Sequence, residues 1–401
     1  MSVAPLAGVR VLEFSHAIMG PSAGLMLADM GADVVKVEPA PAGDPTRRLP
    51  GFGAGFFPGF NRNKRSVAID LKRPDGQAAV HRLAARADIL LENYGPGTME
   101  RLGCGYEQLR AVNPRLLYLA LKGFLAGPYE HRPALDEVVQ FQAGLAYMTG
   151  PPGQPLRAGA SIVDILGASF GVSAVLAALR ERDRTGEGQR VSSALFESTA
   201  FLMLSHMAGS VATGEAPRPM PARQGAWAIY DVFDTADGEQ LFIGVTSDQQ
   251  WTRFTDEFAL QTLAADSRLA TNESRTHERS WLIPALRETI AKFSKAEMQR
   301  RCEAAAVSWA PVGKPTDLFT DPHLLSHGGL VDVAIRTLAG GVTTVGLPAL
   351  PVEFGADRAR PGLTRQPPRI GEHNAEVLTE AGFSAAEIAR LAATRTIAAA
   401  A

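Results

Sequence analysis

Cysteine is nearly missing: Cys104 and Cys302 are the only two among 401 residues. So distant a pair forms no CxxC metal or redox motif and fits a reducing compartment better than a disulfide scaffold. Charge of one sign is lacking too. A formal net charge of -2 gives no reason to expect nucleic acid or a membrane surface as partner. No uninterrupted apolar run is long enough to span a bilayer. The opening MSVAPLAGVRVLEF lacks a basic region followed by a long apolar one, so a cytoplasmic protein is expected. The eight histidines show no HExxH or similar spacing, and no metal site is expected. What is present is ordinary for a globular chain: 46% hydrophobic and 20% charged residues, enough for one large domain or two.

The first half alternates short apolar runs with helical patterns. Val9–Phe14, Asp33–Val37, Val67–Leu71, Ile89–Glu92 and Leu116–Leu121 read as strands. Ser22–Gly31 and Pro74–Ala87 read as helices, the second with proline in the first turn, where it is tolerated. This alternation predicts an α/β domain with a Rossmann-like, mainly parallel sheet. A long helix follows Asp164 and ends at Gly186, with Gly167, Ala168, Gly171, Ala174 and Ala178 as a small-residue face; Arg190–Phe196 is the next strand.

Further on, Trp227–Val245 predicts a hairpin turning at Ala236–Gly238, with helices around Trp251–Phe258, His277–Phe293 and Lys295–Val307. Residues 224–325 therefore read as a smaller α+β domain, set between 1–216 and 330–401 of the larger one, with 217–223 and 326–329 as linkers. A last helix is expected over Ser384–Ala393, and the Ala-rich end Ile397–Ala401 as frayed.

Asp164 is the most informative residue, a lone carboxylate among Gly, Ala and aliphatic side chains. Buried acids need a partner or a task. Asp164 is a candidate nucleophile, and the plainer alternative is a helix cap. Gly167-Ala-Ser169-Phe-Gly171 matches the GxSxG of a serine hydrolase, which requires a strand over Ser161–Leu166 and a sharp turn at Ser169. Gly51-Phe-Gly53-Ala-Gly55 lacks a preceding strand and reads as a glycine loop. His16 follows the first strand, where α/β ligands often bind. Asn61–Ser66 reads as a basic loop, and its Lys64 and Arg65 as a candidate phosphate clamp.

Many ordered blocks along nearly the whole chain resemble the class III CoA-transferases, the group that includes carnitine-dehydratase-like proteins, formyl-CoA transferases and α-methylacyl-CoA racemases. They include LAGVRVLEF, GPSAGLMLADMGADVVKVEP, NKRSVAIDLKRPDG, ADILLENYGPGTMERLG, RAGASIVDILG, RTGEGQRV and GEHNAEVL. The resemblance implies an interlocked homodimer, and an aspartate matching Asp164 that attacks an acyl-CoA thioester. It implies CoA contacts from residues matching His16, Ala17, Ile18, Met19, Asn93, Tyr94, Arg101, Lys122 and Phe124. Acyl-CoA and a small carboxylic acid are then the substrates, with no permanently bound cofactor.

Racemases of the group carry His-Asp where this chain has Leu135-Asp136, so an acyl-CoA racemase or isomerase is the disfavoured alternative. Pro39, where some formyl-CoA transferases are basic, argues against formyl-CoA:oxalate exchange. Gln224-Gly225 and Thr246–Trp251 look closer to relatives that use short dicarboxylates such as succinate or glutarate. No role for Asp136 follows from the sequence.

Overall fold

A computed structural model describes residues 3–222, 225–337 and 340–398. Six strands form one sheet: β1 (Arg10–Phe14), β2 (Asp33–Pro39), β3 (Lys64–Ile69), β4 (Ile89–Glu92), β5 (Leu117–Lys122) and β6 (Arg190–Ala194). Their order is β3-β2-β1-β4-β5-β6, and every pairing is parallel. Strands such as ILLE and LYLALK are apolar on both sides because both faces are covered. Leu12, Phe14, Val35, Leu90 and Tyr118 enter one core, while Val11, Val34, Ile89, Leu91 and Leu119 enter the other. That is the period-2 alternation of a strand. Strand order reverses between β1 and β4, and at such a switch point a crevice opens beyond the carboxyl ends.

The helix Ile162–Thr185 joins β5 to β6, so it runs back against the strand direction and begins at their carboxyl edge. Its length and composition would suit a bilayer, yet its small-residue face lies on the sheet. A Cβ at Gly171 would stand 2.7 Å from Leu121 Cδ2, so glycine permits the close approach. Gly186, at φ 81, ends the helix in a left-handed turn.

The smaller unit, Ala222–Leu318, is built on an antiparallel sheet of β7 (Ile229–Asp234), β8 (Gln240–Val245) and β9 (Ser308–Pro311). Gly238, at φ 75, turns the predicted hairpin. Helices Asp248–Glu257, Arg279–Ile290 and Lys295–Ala304 contribute Phe254, Leu282, Leu286 and Met298 to its core. Residues on either side of this unit belong to the larger one, which resumes at Phe319, ahead of the expected linker at 326–329.

Three local expectations are corrected. The Gly51–Gly55 stretch is a 3-10 helix leading into a short α-helix, Phe56–Phe60. The tail holds an unforeseen hairpin, β10 (Leu330–Arg336) and β11 (Val342–Pro348). Ile397 is not frayed: it bridges Ile69 at the sheet's edge and is buried, as is Ala398, whose N–H donates to Ala68 O.

Candidate active site

The loops after β1 and β4 meet at the switch point. Asn93 holds the first turn at both ends: His16 N–H donates to Asn93 Oδ1 at 3.0 Å, and Asn93 Nδ2 donates to His16 O at 2.8 Å. The rings of His16 and Tyr94 stack with centroids 5.5 Å apart. Ala17 sits at φ 61, a region L-residues seldom occupy, and such strain persists where surrounding contacts enforce it. Burial holds the His16 imidazole below its ordinary pKa, so it is neutral at pH 7.

Beside this turn opens a cavity of about 290 Å³, lined among others by His16, Tyr94, Glu38, Asp44, Leu71 and Lys72. Of the CoA contacts expected from the sequence, His16 and Tyr94 line it, and so does Pro39, the position that argued against formyl-CoA:oxalate exchange. Asn93 is spent on the His16 backbone. Lys122 pairs with Glu92 at 2.5 Å and donates to Tyr94 O at 2.9 Å, bracing the loop from beneath. Phe124 is buried against Tyr129 and Phe196. Arg101 is exposed and donates to Thr98 Oγ1, beside the cavity residues Thr98 and Leu102. Leu71, Lys72 and Glu38 were missed, although the carboxyl-end rule applied to β2 and β3 points to them.

Lys64 and Arg65 are not a basic loop. They open β3, and both are buried. Lys64 Nζ lies 2.8 Å from Glu13 Oε2 and also donates to Pro21 O and Asn61 Oδ1. The Arg65 guanidinium is taken by Asp33, Glu376 and Glu380. A phosphate would have to displace carboxylates from both. That corrects the clamp expectation on grounds of charge already matched.

Asp164 occupies the first turn of the long helix, on the same edge as His16. One turn along, a Cβ at Gly167 would come 2.5 Å from Met19 Cε, so this helix packs directly on the start of helix Met19–Asp29, next to Ala17 and Ile18. Asp164 itself does not line the 290 Å³ cavity. Among the described residues its carboxylate makes no hydrogen bond or ion pair. The capping alternative therefore fails: Ser161, at the N-cap, supplies no side-chain cap either. Asp136 does the capping instead, its Oδ2 accepting from Val163 N at 2.9 Å and Asp164 N at 3.1 Å. Burial first, then repulsion from Asp136 and Glu137, raises the Asp164 carboxyl to about 7, with Arg157 opposing. The ordinary carboxylate value expected of a free Asp thus does not apply.

Ser169 lies inside the helix, its hydroxyl donating to Ile165 O at 2.9 Å, and no strand or sharp turn precedes it. The hydrolase reading is excluded. Among the described residues, no cluster of three or more His, Cys, Asp or Glu is arranged to hold a metal ion.

A six-stranded parallel sheet whose strand order reverses between β1 and β4, with a crevice at its carboxyl edge, places the chain among the doubly wound α/β proteins. The chain belongs to CoA-transferase family III, whose model matches residues 6–374. It is 35% identical over 390 residues to a succinate–glutarate CoA-transferase of Agrobacterium fabrum, covering 94% of this chain and 95% of that one. It is 33% identical to a succinyl-CoA–D-citramalate CoA-transferase of Chloroflexus aurantiacus, covering 98% of each. Among solved structures it resembles a CAIB/BAIF family protein from Brucella suis, with TM-score 0.82 and 31% identity over 95% of this chain and 100% of that one.

Proposed function

We propose that this protein transfers CoA between short dicarboxylic acids through a covalent aspartyl-CoA thioester on Asp164. The observation that carries this is the free Asp164 carboxylate, raised to about 7, at the edge where the β1 and β4 loops meet. Relatives named for succinate, glutarate and citramalate support the substrate class.

In this mechanism an ionised Asp164 oxygen attacks the thioester carbonyl carbon, and the tetrahedral adduct expels the CoA thiolate to leave an acyl-aspartyl anhydride. The thiolate attacks the Asp164 acyl carbon, releasing the first acid as carboxylate and forming the aspartyl-CoA thioester. A second carboxylate attacks that thioester and expels the thiolate again. Thiolate attack on the substrate carbonyl of the new anhydride then gives the new acyl-CoA and restores Asp164. A weak nucleophile serves here because binding holds it against its target and water is kept away. A carboxyl near 7 is ionised in about half the molecules at neutral pH and is more basic than an ordinary Asp. The cavity beside His16 and Tyr94 would take part of the CoA, with Lys72 the cation at hand for a phosphate.

The expected partner is a second copy of the chain. Helix Leu204–Thr213 buries none of its residues, and Leu204, Met207 (62% exposed) and Val211 (85% exposed) share one face of it, with exposed Phe201 just before. Light scattering should give twice the 42.6 kDa chain mass; a monomer retaining activity overturns this part.

The deciding test of the mechanism is trapping. Borohydride or hydroxylamine should modify Asp164 only after incubation with succinyl-CoA, as read by peptide mass spectrometry. Full exchange by Asp164→Ala refutes the assignment. Deuterium uptake at the α-carbon of a 2-methylacyl-CoA would favour a racemase, but exposed Leu135 offers no proton carrier there.

A further inference from the structure

Three side chains of one short helix, Asp136–Gln142, hold the segment that delivers Asp164. Asp136 Oδ2 takes the Val163 and Asp164 amides, and its Oδ1 accepts from Gln140 Nε2. Gln140 Oε1 in turn accepts from Ala158 N at 2.9 Å, and Glu137 pairs with Arg157. Asp136 and Gln140 are buried, so their hydrogen bonds are not readily exchanged for water, whereas the Glu137–Arg157 pair is partly exposed. The amides at the start of a helix need acceptors, and a nucleophile that served as its own cap would not be free to attack.

We infer that Asp136 is a positioning residue for the transfer reaction: by capping the Asp164 helix from a neighbouring element, it leaves both Asp164 oxygens available and fixes their direction. This rests on the aspartyl reading above. The polarity of the chain of holds is fixed. Asparagine at 136 could still accept the two amides, but its NH2 would then face the Gln140 NH2. Turning Gln140 over would set that NH2 against Ala158 N–H. Charges facing Asp164 are Asp136 and Glu137 from the short helix and Arg157 from the connecting segment. Removing the Asp136 charge should therefore also ease ionisation of Asp164.

The test compares Asp136→Ala, Asp136→Glu and Gln140→Ala with wild type in full-length enzyme, using succinyl-CoA and glutarate. Asp136→Ala should lower kcat about 10- to 100-fold, the scale on which an ångström of misplacement acts, with KM for succinyl-CoA within about twofold. Glutamate should restore part of the loss, and the acid limb of the kcat profile should move to lower pH in the alanine variant. Gln140→Ala, which keeps the carboxylate but frees it, should lower kcat several-fold and decides the matter should Asp136→Ala fail to fold. Adduct formation at Asp164 separates the two claims. Wild type forming no adduct removes the nucleophile. Wild type forming it while Asp136→Ala or Gln140→Ala forms it equally fast removes the positioning role alone. Parallel changes in kcat and KM with no rescue by glutamate would also overturn it, because that is how a general loss of structure behaves.

Discussion

Two regions of the larger unit, one fully enclosed and one half-buried, treat acidic side chains in opposite ways. Behind the β1 turn, Glu13 is fully enclosed, and Lys64 and Lys36 both bind it, at 2.8 Å and 3.1 Å. Burial alone would raise its carboxyl, but the two ammonium groups draw it below the ordinary range. Across the switch point Asp164 has no such partner; its neighbours Asp136 and Glu137 are themselves acids, and it stands near 7. One arrangement matches every charge it buries and braces a turn. The other leaves a charge unmatched, which stability alone does not favour and which active sites often keep.

The comparison breaks first at Asp164. Replacing it with alanine should lower CoA exchange at least about 10³-fold while leaving acyl-CoA binding by calorimetry within a few-fold. Measurable exchange near the wild-type rate would place the unmatched charge outside the chemistry.

On the other side, Lys64→Met should cost about 3–5 kcal/mol, because Glu13 loses one of its two cations in a fully buried site. Denaturant melts at pH 7 measure this. Adding Glu13→Leu should return part of the loss, since a missing pair is less harmful than a broken one. A loss below about 1 kcal/mol for the single variant would mean that the network is not matched as described.

The two regions should also respond oppositely to pH. Asp164 has a folded-state value of about 7, above its ordinary 3.8, so the folded chain holds that proton longer than the unfolded one. Its contribution is neutral at low pH, becomes unfavourable as pH rises from about 4 to 7, and is constant beyond. Asp164→Asn should therefore be more stable than wild type by about 2–4 kcal/mol at pH 8 and no more stable at pH 3. Glu13 is shifted the other way, and its stabilisation is lost as pH falls below the ordinary carboxylate value. Catalysis should follow the Asp164 sign, with kcat/KM rising through about pH 7 until the carboxylate is fully ionised. A profile flat from pH 5 to 8 contradicts it.

Much of this was legible in the sequence, because it is local. Apolar runs between turn signals located the parallel strands, and Asp164 among small residues at a helix start needed no partner to be noticed. What stayed hidden depends on distance along the chain. NRNKRS looks like a solvated loop until Glu13, 51 residues before Lys64, and Glu376 and Glu380, 311 and 315 residues after Arg65, are folded against it. Asp136 gained a role only from amides 27 and 28 residues away. Ile397 looked frayed until the edge of β3 accepted it.

Arg65 gives the smallest effect and the sharpest control. It carries a charge on the basic segment that electrostatics invites one to assign to a CoA phosphate, yet three carboxylates already occupy its guanidinium. Two of them, Glu376 and Glu380, are about half exposed, so solvent screens the set and its loss should be modest. Arg65→Ala should cost about 1–2 kcal/mol in a melt and leave KM for succinyl-CoA within about twofold. Lys72→Ala, on the cavity wall, should do the reverse, raising KM several-fold with stability unchanged. Were Arg65 the variant that raises KM, the matched side of the molecule would be a binding site after all. The contrast between paired and unpaired charge would then lose its functional meaning.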